Sequence, residues 1–237
     1  MKKQLNILVT SGRTAVPGGD KVRELTNKFK GRTGNEAACQ LRDAGHHVTL
    51  LTSSPERVPV NLLADSLTDG SLTVIPFNLY DELMVKMEYA VKNGGFDVII
   101  HSAAVSDYKV QDAFIPVEGP YFGDGRVVVK PLPKAGKMKS NHKRLFLELV
   151  PTEKIVDKIR RDWEFKGVLV KFKLEVGLQD DELIDIARAS RAQSDANMIV
   201  ANCLEWSKDY AYVIGHDNVA HMVVRDQIAS EILRRVA

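Results

Sequence analysis

The chain has 237 residues, 44% hydrophobic and 27% charged, an ordinary balance for a globular chain able to bury a core. Lys and Arg number 33 against 31 Asp and Glu, a formal net charge of +2, which argues against a broadly basic nucleic-acid binder and leaves room for a local anion site. The two cysteines, Cys39 and Cys203, lie far apart and in no C-x-x-C spacing, so a disulfide scaffold and a cysteine zinc site are not expected, and a reducing cytoplasm is.

The N-terminal segment carries two lysines and a short apolar run broken by Asn6, which predicts a first strand over 5–10 rather than a signal peptide. No apolar run approaches the roughly 20 residues a membrane helix needs. Ala37, Ala38, Leu41 and Ala44 recur at helical spacing, predicting a helix over 31–44 that Gly45 stops. Strands follow over 47–52 and 72–75, a helix over 81–92 closed by Asn93-Gly94-Gly95, and a strand over 96–101. Short apolar runs alternating with amphipathic stretches imply βαβ units. The expected architecture is a single α/β domain over 1–237, doubly wound, with a mostly parallel, Rossmann-like sheet.

The middle breaks this rhythm. From Val105 to Lys143 the chain holds four of its nine prolines and six lysines, with one predicted strand over 126–130. A stretch this long without helices reads as a functional lid, about 109–143, or as a linker. Regular order resumes with strands over 145–149, 168–174, 197–201, 210–214 and 220–224, and helices over 152–162, 180–193 and 225–235.

The first connection, Thr10 to Gly34, is long and basic, with Arg13, Lys21, Arg23, Lys28 and Lys30. In an open α/β sheet this is where helix amides meet an anion, and Gly31 and Gly34 stand where backbone would approach phosphate closely. It is otherwise an exposed loop whose glycines shape a turn. The connection lacks G-K-[ST] and G-x-G-x-x-G, and the chain has no Tyr-x-x-x-Lys, so a nicotinamide-dependent reductase is a poor fit. Four further segments carry candidate chemistry: His101-Ser102-Ala103-Ala104-Val105-Ser106-Asp107-Tyr108, Lys137-Met138-Lys139, Val170-Lys171-Phe172-Lys173-Leu174-Glu175 and Ile199-Val200-Ala201-Asn202. Each has a plainer alternative as a turn, a solvated face or core. The histidines show no metal spacing, and no G-x-S-x-G elbow is present.

Taken in order, these segments resemble the phosphopantothenate–cysteine ligase (phosphopantothenoylcysteine synthetase) family of coenzyme A biosynthesis, along nearly the whole chain. The family's T-S-G-G-T turn is answered by Thr10-Ser11-Gly12-Arg13-Thr14, its N-x-S-S-G-x-x-G loop by Asn27 through Gly31 and Gly34, and its A-A-V-(A/S)-D-(Y/F) run by 103–108. Its K-(I/M)-K lid, (L/M)-V-P, G/S-F-K-x-E and I-V-A-N segments are answered by 137–139, 149–151, 172–175 and 199–202. The flavin-dependent decarboxylase half fused in many bacterial members has no counterpart in these residues, so no flavin is implied. Arg13 replaces the second glycine of the turn, and Phe29 and Lys30 replace the two serines. Where bacterial members carry triphosphate-binding lysines, this chain has about Ser190 and Ser194, with Arg188 and Arg191 nearby as candidate substitutes.

The resemblance implies a homodimer joining 4′-phosphopantothenate to cysteine through an acyl-nucleotide, with ATP or CTP and Mg²⁺. It implies catalytic roles for Asn27 and Lys137. Gly12, Ala103, Ala104, Asp107 and Phe172 would frame the nucleotide, with Arg188 and Arg191 on its phosphates. Arg13, Lys28, Lys30, Gly31, Arg32 and Gly34 would meet the substrate phosphate. No protein side chain is assigned to metal. The competing expectation is a non-catalytic or altered nucleotide-binding protein of the same fold.

Overall fold

The computed structural model describes residues 3–117, 126–133 and 136–236. Its centre is an eight-stranded sheet. Strand β1 (Asn6–Ser11) runs parallel to β4 (His47–Thr52) on one side and to β6 (Val98–His101) on the other. Beyond β4 lies β5 (Leu72–Pro76), and beyond β6 lie β10 (Val168–Glu175) and β11 (Met198–Cys203), all parallel. Strands β12 (Tyr210–Ile214) and β13 (Ala220–Val224) extend that edge through antiparallel pairings. The chain therefore winds outward from β1 in one direction, returns, and winds outward in the other. The reversal falls between β1 and β6, the switch point where open α/β sheets hold their ligands.

Alternation along each strand sends side chains to two separate cores. Ile7 and Val9, Val98 and Ile100, and Val170 pack with Leu41 of α1 (Arg32–Asp43) and Ile232 of α6 (Ile228–Val236). On the other face, Leu8, Ile99 and Leu169 pack with Leu83 and Met87 of α3 (Tyr80–Asn93) and Ile155 and Ile159 of α4 (Ile155–Arg161). Further along, Leu183 and Ala187 of α5 (Asp180–Gln193) cover Ile199 and Ala201. The doubly wound, mostly parallel fold is the one the alternation predicts.

The middle of the chain differs from expectation. Instead of one strand it carries β7 (Tyr108–Pro116), β8 (Val129–Pro131) and β9 (Phe146–Pro151), a separate antiparallel sheet in the order β8-β7-β9. The strand predicted over 145–149 thus belongs to this small sheet and not to the parallel one. Two short strands, β2 (Ala15–Pro17) and β3 (Glu24–Thr26), form a hairpin within the first connection, and α2 (Val60–Asp69) precedes β5. Lys137 and Lys139 are exposed, whereas Met138 between them is 5% exposed and donates its amide to Asp20 Oδ2 at 2.9 Å. Asp20 also accepts from the amides of Val22 and Arg23 and pairs with the Arg23 guanidinium. The Met138 amide, with the others and Arg23 adding, holds the Asp20 carboxyl down at about 2. A carboxylate bound this way pins the 136–139 segment to the first connection.

Candidate functional site

At the switch point the loops after β1 and β6 are stitched together. Thr14 donates its amide to the Ala104 carbonyl at 3.1 Å, and Ala104 donates to the Gly12 carbonyl at 2.8 Å. The Thr14 hydroxyl bonds Ser106 Oγ at 3.0 Å and receives the Ser106 amide at 2.8 Å. Asn27 crosses from the first connection to donate its side-chain amide to the Ala104 carbonyl at 3.0 Å. Arg13 reaches back with Nη1 to the Asn27 carbonyl at 3.0 Å. Two candidate segments far apart in sequence thus form one floor.

That floor opens into a cavity of about 400 Å³, which Asn27, Phe29, Ala103, Ala104, Asp107 and Phe172 all line. Asp107 sits exposed at the rim, and its carbonyl accepts the Thr152 amide at 2.9 Å. Glycine is required beneath the floor for packing: a Cβ on Gly34 would stand 2.3 Å from Ser102 Oγ, and one on Gly31, whose φ is +67°, would stand 2.1 Å from the Gly12 nitrogen. These two glycines let α1 pack closely against the ends of β1 and β6. Gly12 is likewise packed, with a Cβ there falling 2.1 Å from Ser53 Oγ.

The cations of the first connection do not converge. Lys28 is exposed with its ammonium 5.8 Å from the Phe29 ring centroid, Lys30 is exposed, and Arg32 pairs with Glu36 at 2.6 Å. Lys137 lies outside the cavity lining. Arg188 and Arg191 both serve the turn between β12 and β13. Arg188 donates to the Asn218 carbonyl at 2.9 Å and pairs with Asp185. Arg191 is 8% exposed and donates to the Ala196 carbonyl and Asn218 Oδ1, with His216 Nδ1 3.1 Å away. Neither lines the cavity.

Lys171, which lies in the 170–175 candidate segment but has no role that the sequence assigns, takes that place. Lys171 is 7% exposed, lines the cavity, and donates Nζ to the Ser190 carbonyl at 3.0 Å and Ser194 Oγ at 2.7 Å. Ser194 in turn donates its hydroxyl to Asp157 Oδ1 at 2.7 Å. Burial pushes the Lys171 ammonium down to about 8; Asp157 opposes that shift, while Lys154 and Lys173 add to it. Lys171 is in register with His101, and His101 with Thr10, so three buried polar groups form a row across β10, β6 and β1. Thr10 Oγ1 lies 2.9 Å from His101 Nδ1, and burial, with Lys171 adding, holds that imidazole down at about 4, hence neutral near pH 7. The signal for this row is legible: each member occupies the position two after Leu8, Ile99 or Leu169, where alternation calls for another apolar side chain.

Among the described residues no group of three or more His, Cys, Asp or Glu could hold a metal ion, and no helix is long and apolar enough to cross a membrane. Fold and cavity together define an α/β protein that presents its ligand crevice at the carboxyl ends of parallel strands. Within that class the chain matches the model of the DNA/pantothenate metabolism flavoprotein C-terminal domain over residues 2–114 and 130–236, and it belongs to that family.

The chain is 29% identical over 199 residues to the coenzyme A biosynthesis bifunctional protein CoaBC of Thermococcus kodakarensis, covering 84% of this chain and 41% of that protein. The protein of the same name from Methanocaldococcus jannaschii is 28% identical over 211 residues, covering 89% of this chain and 43% of the relative. The chain therefore spans less than half the length of these relatives. Among solved structures, the DNA/pantothenate metabolism flavoprotein from Streptococcus pneumoniae matches with a TM-score of 0.76 at 29% identity, covering 98% of both chains. A Cab2 variant in complex with phosphopantothenate-cysteine shares the fold, with a TM-score of 0.73 at 17% identity over 99% of this chain and 87% of that one.

Proposed function

We propose that this chain acts in coenzyme A biosynthesis as a nucleotide-dependent ligase joining 4′-phosphopantothenate to cysteine. The observation that carries the reading is the bond from Asn27 to the Ala104 carbonyl, which brings the two most family-like segments onto one cavity wall. In the reaction, a carboxylate oxygen of phosphopantothenate attacks the nucleotide α-phosphorus and pyrophosphate departs. The cysteine nitrogen then attacks the acyl carbon, gives up a proton, and the nucleoside monophosphate leaves. Both steps gather negative charge between anions, so positioned donors and cations carry most of the catalysis.

Asn27 is the neutral donor to the acyl-nucleotide. The Ala103–Ala104 backbone, Asp107 and Phe172 frame the nucleotide, and Arg13 stands behind Asn27 and holds its backbone. Mg²⁺, when bound, would ride on the triphosphate of ATP or CTP and neutralise part of its charge; among the described residues no three-ligand protein site is found. Lys137 stands exposed outside its own chain's cavity. We read it as the charge delivered to a second copy's cavity in a homodimer.

The test is pyrophosphate release with phosphopantothenate, cysteine, Mg²⁺ and either ATP or CTP. Release that requires all components supports the ligase. Nucleotide binding without release supports the altered binding protein and overturns the ligase.

A further inference from the structure

A lysine ammonium carries three donors, and in Lys171 the Ser190 carbonyl and Ser194 hydroxyl take two of them. The side chain is 93% removed from water by its 7% exposure, yet it lines an open cavity, so a third donor remains for whatever enters. Its nearest carboxylate, Asp157, is reached only through Ser194. A buried ammonium without a direct carboxylate is costly, and the folded protein retains it at the carboxyl end of a sheet, where ligands collect.

The charges facing Lys171 are few. From α4 and the residue before it come Asp157 and Lys154, from β10 comes Lys173, and from β6 comes His101, which burial keeps neutral. Strand β11 contributes apolar Ile199, and α5 contributes the uncharged Ser190 and Ser194. Lys173 is already paired with Glu175 at 2.9 Å. Lys171 is therefore the deepest cation in the cavity, with Lys154 further out on its lining.

We propose that Lys171 receives a phosphate of a polyphosphate ligand, its ammonium delivered from β10 to the end of α5 and parked there on Ser190 and Ser194 until the phosphate arrives. This rests on the ligase reading only for the ligand being a nucleoside triphosphate; capture of polyphosphate stands without it. Arg188 and Arg191, the nearest guanidiniums on α5, are committed to Asn218 and take no part.

The probe is inorganic tripolyphosphate, measured by calorimetry at pH 7 alongside melting curves. Lys171→Ala is expected to weaken binding by roughly 10- to 100-fold, the value of one charge-assisted hydrogen bond. Arg188→Ala is expected to bind within about twofold of the wild type. The double variant Lys171→Ser with Ser194→Lys, which returns the ammonium from the helix side, is expected to recover most of the affinity.

A second readout uses the unaltered protein, so it survives any folding failure of the variants. The ¹³Cε resonance of Lys171, assigned by through-bond correlation to its own backbone, should titrate at higher pH with tripolyphosphate bound, because a bound anion stabilises the ammonium. An unchanged titration, equal affinity of wild type and Lys171→Ala, or no binding of tripolyphosphate to the wild type would each overturn the proposal. If Lys171 binds phosphate as described while no nucleotide supports pyrophosphate release, the ligase reading falls and this inference stands. The reverse pattern sinks this inference alone.

Discussion

The two ends of the parallel sheet differ in a way that volume does not capture. The amino ends border the larger opening, about 910 Å³ between Leu5, Val168, Leu233 and Val236 with Lys3, Asp97 and Arg234 around it, whereas the cavity at the carboxyl ends is about 400 Å³. At the larger opening the polar groups are spent on the fold. Asp97 accepts the Asn6 amide at 2.9 Å, His46 Nδ1 accepts the Leu5 amide at 3.1 Å, and Asn197 Oδ1 accepts the Leu169 amide at 2.8 Å. At the smaller one, the Lys171 ammonium and the Asn27 side-chain amide line the cavity and each keep one donor beyond those they give to protein. A site is marked by polar groups held in readiness more than by room.

Breaking the carboxyl end should cost activity far more than stability. Asn27→Ala is expected to lower ligation about 100-fold, roughly 3 kcal/mol of transition-state stabilisation, while the lost bond to the Ala104 carbonyl costs no more than about 1 kcal/mol in unfolding. Steady-state rates within twofold of the wild type would remove Asn27 from the chemistry. Next in size, Lys137→Gln is expected to lower kcat and kcat/KM together by about tenfold while Lys139→Gln changes neither. If Lys137 serves the partner's site, mixing the Asn27→Ala and Lys137→Gln proteins should restore part of the activity that each lacks; no restoration would place Lys137 outside the reaction.

Breaking the amino end should do the reverse. Asp97→Ala strips the Asn6 amide of its acceptor and is expected to cost about 1 kcal/mol in denaturant unfolding, with turnover per folded molecule unchanged. The Asn6 amide, with Lys3 adding, holds the Asp97 carboxyl below its ordinary value, so its contribution is present above pH 3.8 and fades as pH falls. Lys171→Met sharpens the contrast further. Relieving a buried charge should raise the melting temperature by about 2–4 °C, or roughly 1 kcal/mol, while polyphosphate binding weakens roughly 10- to 100-fold. A lower melting temperature would make Lys171 structural.

The smallest effect concerns the 136–139 segment. The Asp20 carboxyl titrates near 2 when folded against an ordinary 3.8, so its hold on the Met138 amide is complete above 3.8 and is lost as pH falls toward 2. Hydrogen exchange at Met138 should accelerate across that window in the wild type and already be fast at neutral pH in Asp20→Asn.

Much of this architecture was legible because buried parallel strands write their alternation and length plainly. β4, β12, β13 and α5 fall on the predicted residues. The small sheet was not, for physical reasons. β7 is mostly half-exposed and carries an irregularity between Val110 and Asp112 that breaks its period, so its strand character comes from pairing with β9. α2 is rich in Asn, Asp, Ser and Thr and follows Pro55 and Pro59, a composition that propensity reads as loop. In the site, Asn27, Ala103, Ala104, Asp107 and Phe172 were legible as motif residues. The arginines of α5 were not, since a helix face is decided by what packs beneath it. Lys171 was visible as a polar residue at an inward position, a signal that needs the neighbouring strands before it means anything.

The stitching of the β1 and β6 loops has a kinetic and entropic side. Thr14, Ala104, Ser106 and Asn27 bond one another across up to 92 residues of chain. The floor they make is ordered before any ligand arrives, so the conformational entropy lost on association falls elsewhere, on long side chains such as Lys154 and on the ligand. Association should accordingly proceed as a single fast step against a rigid surface, with affinity differences among ligands expressed in how quickly they leave.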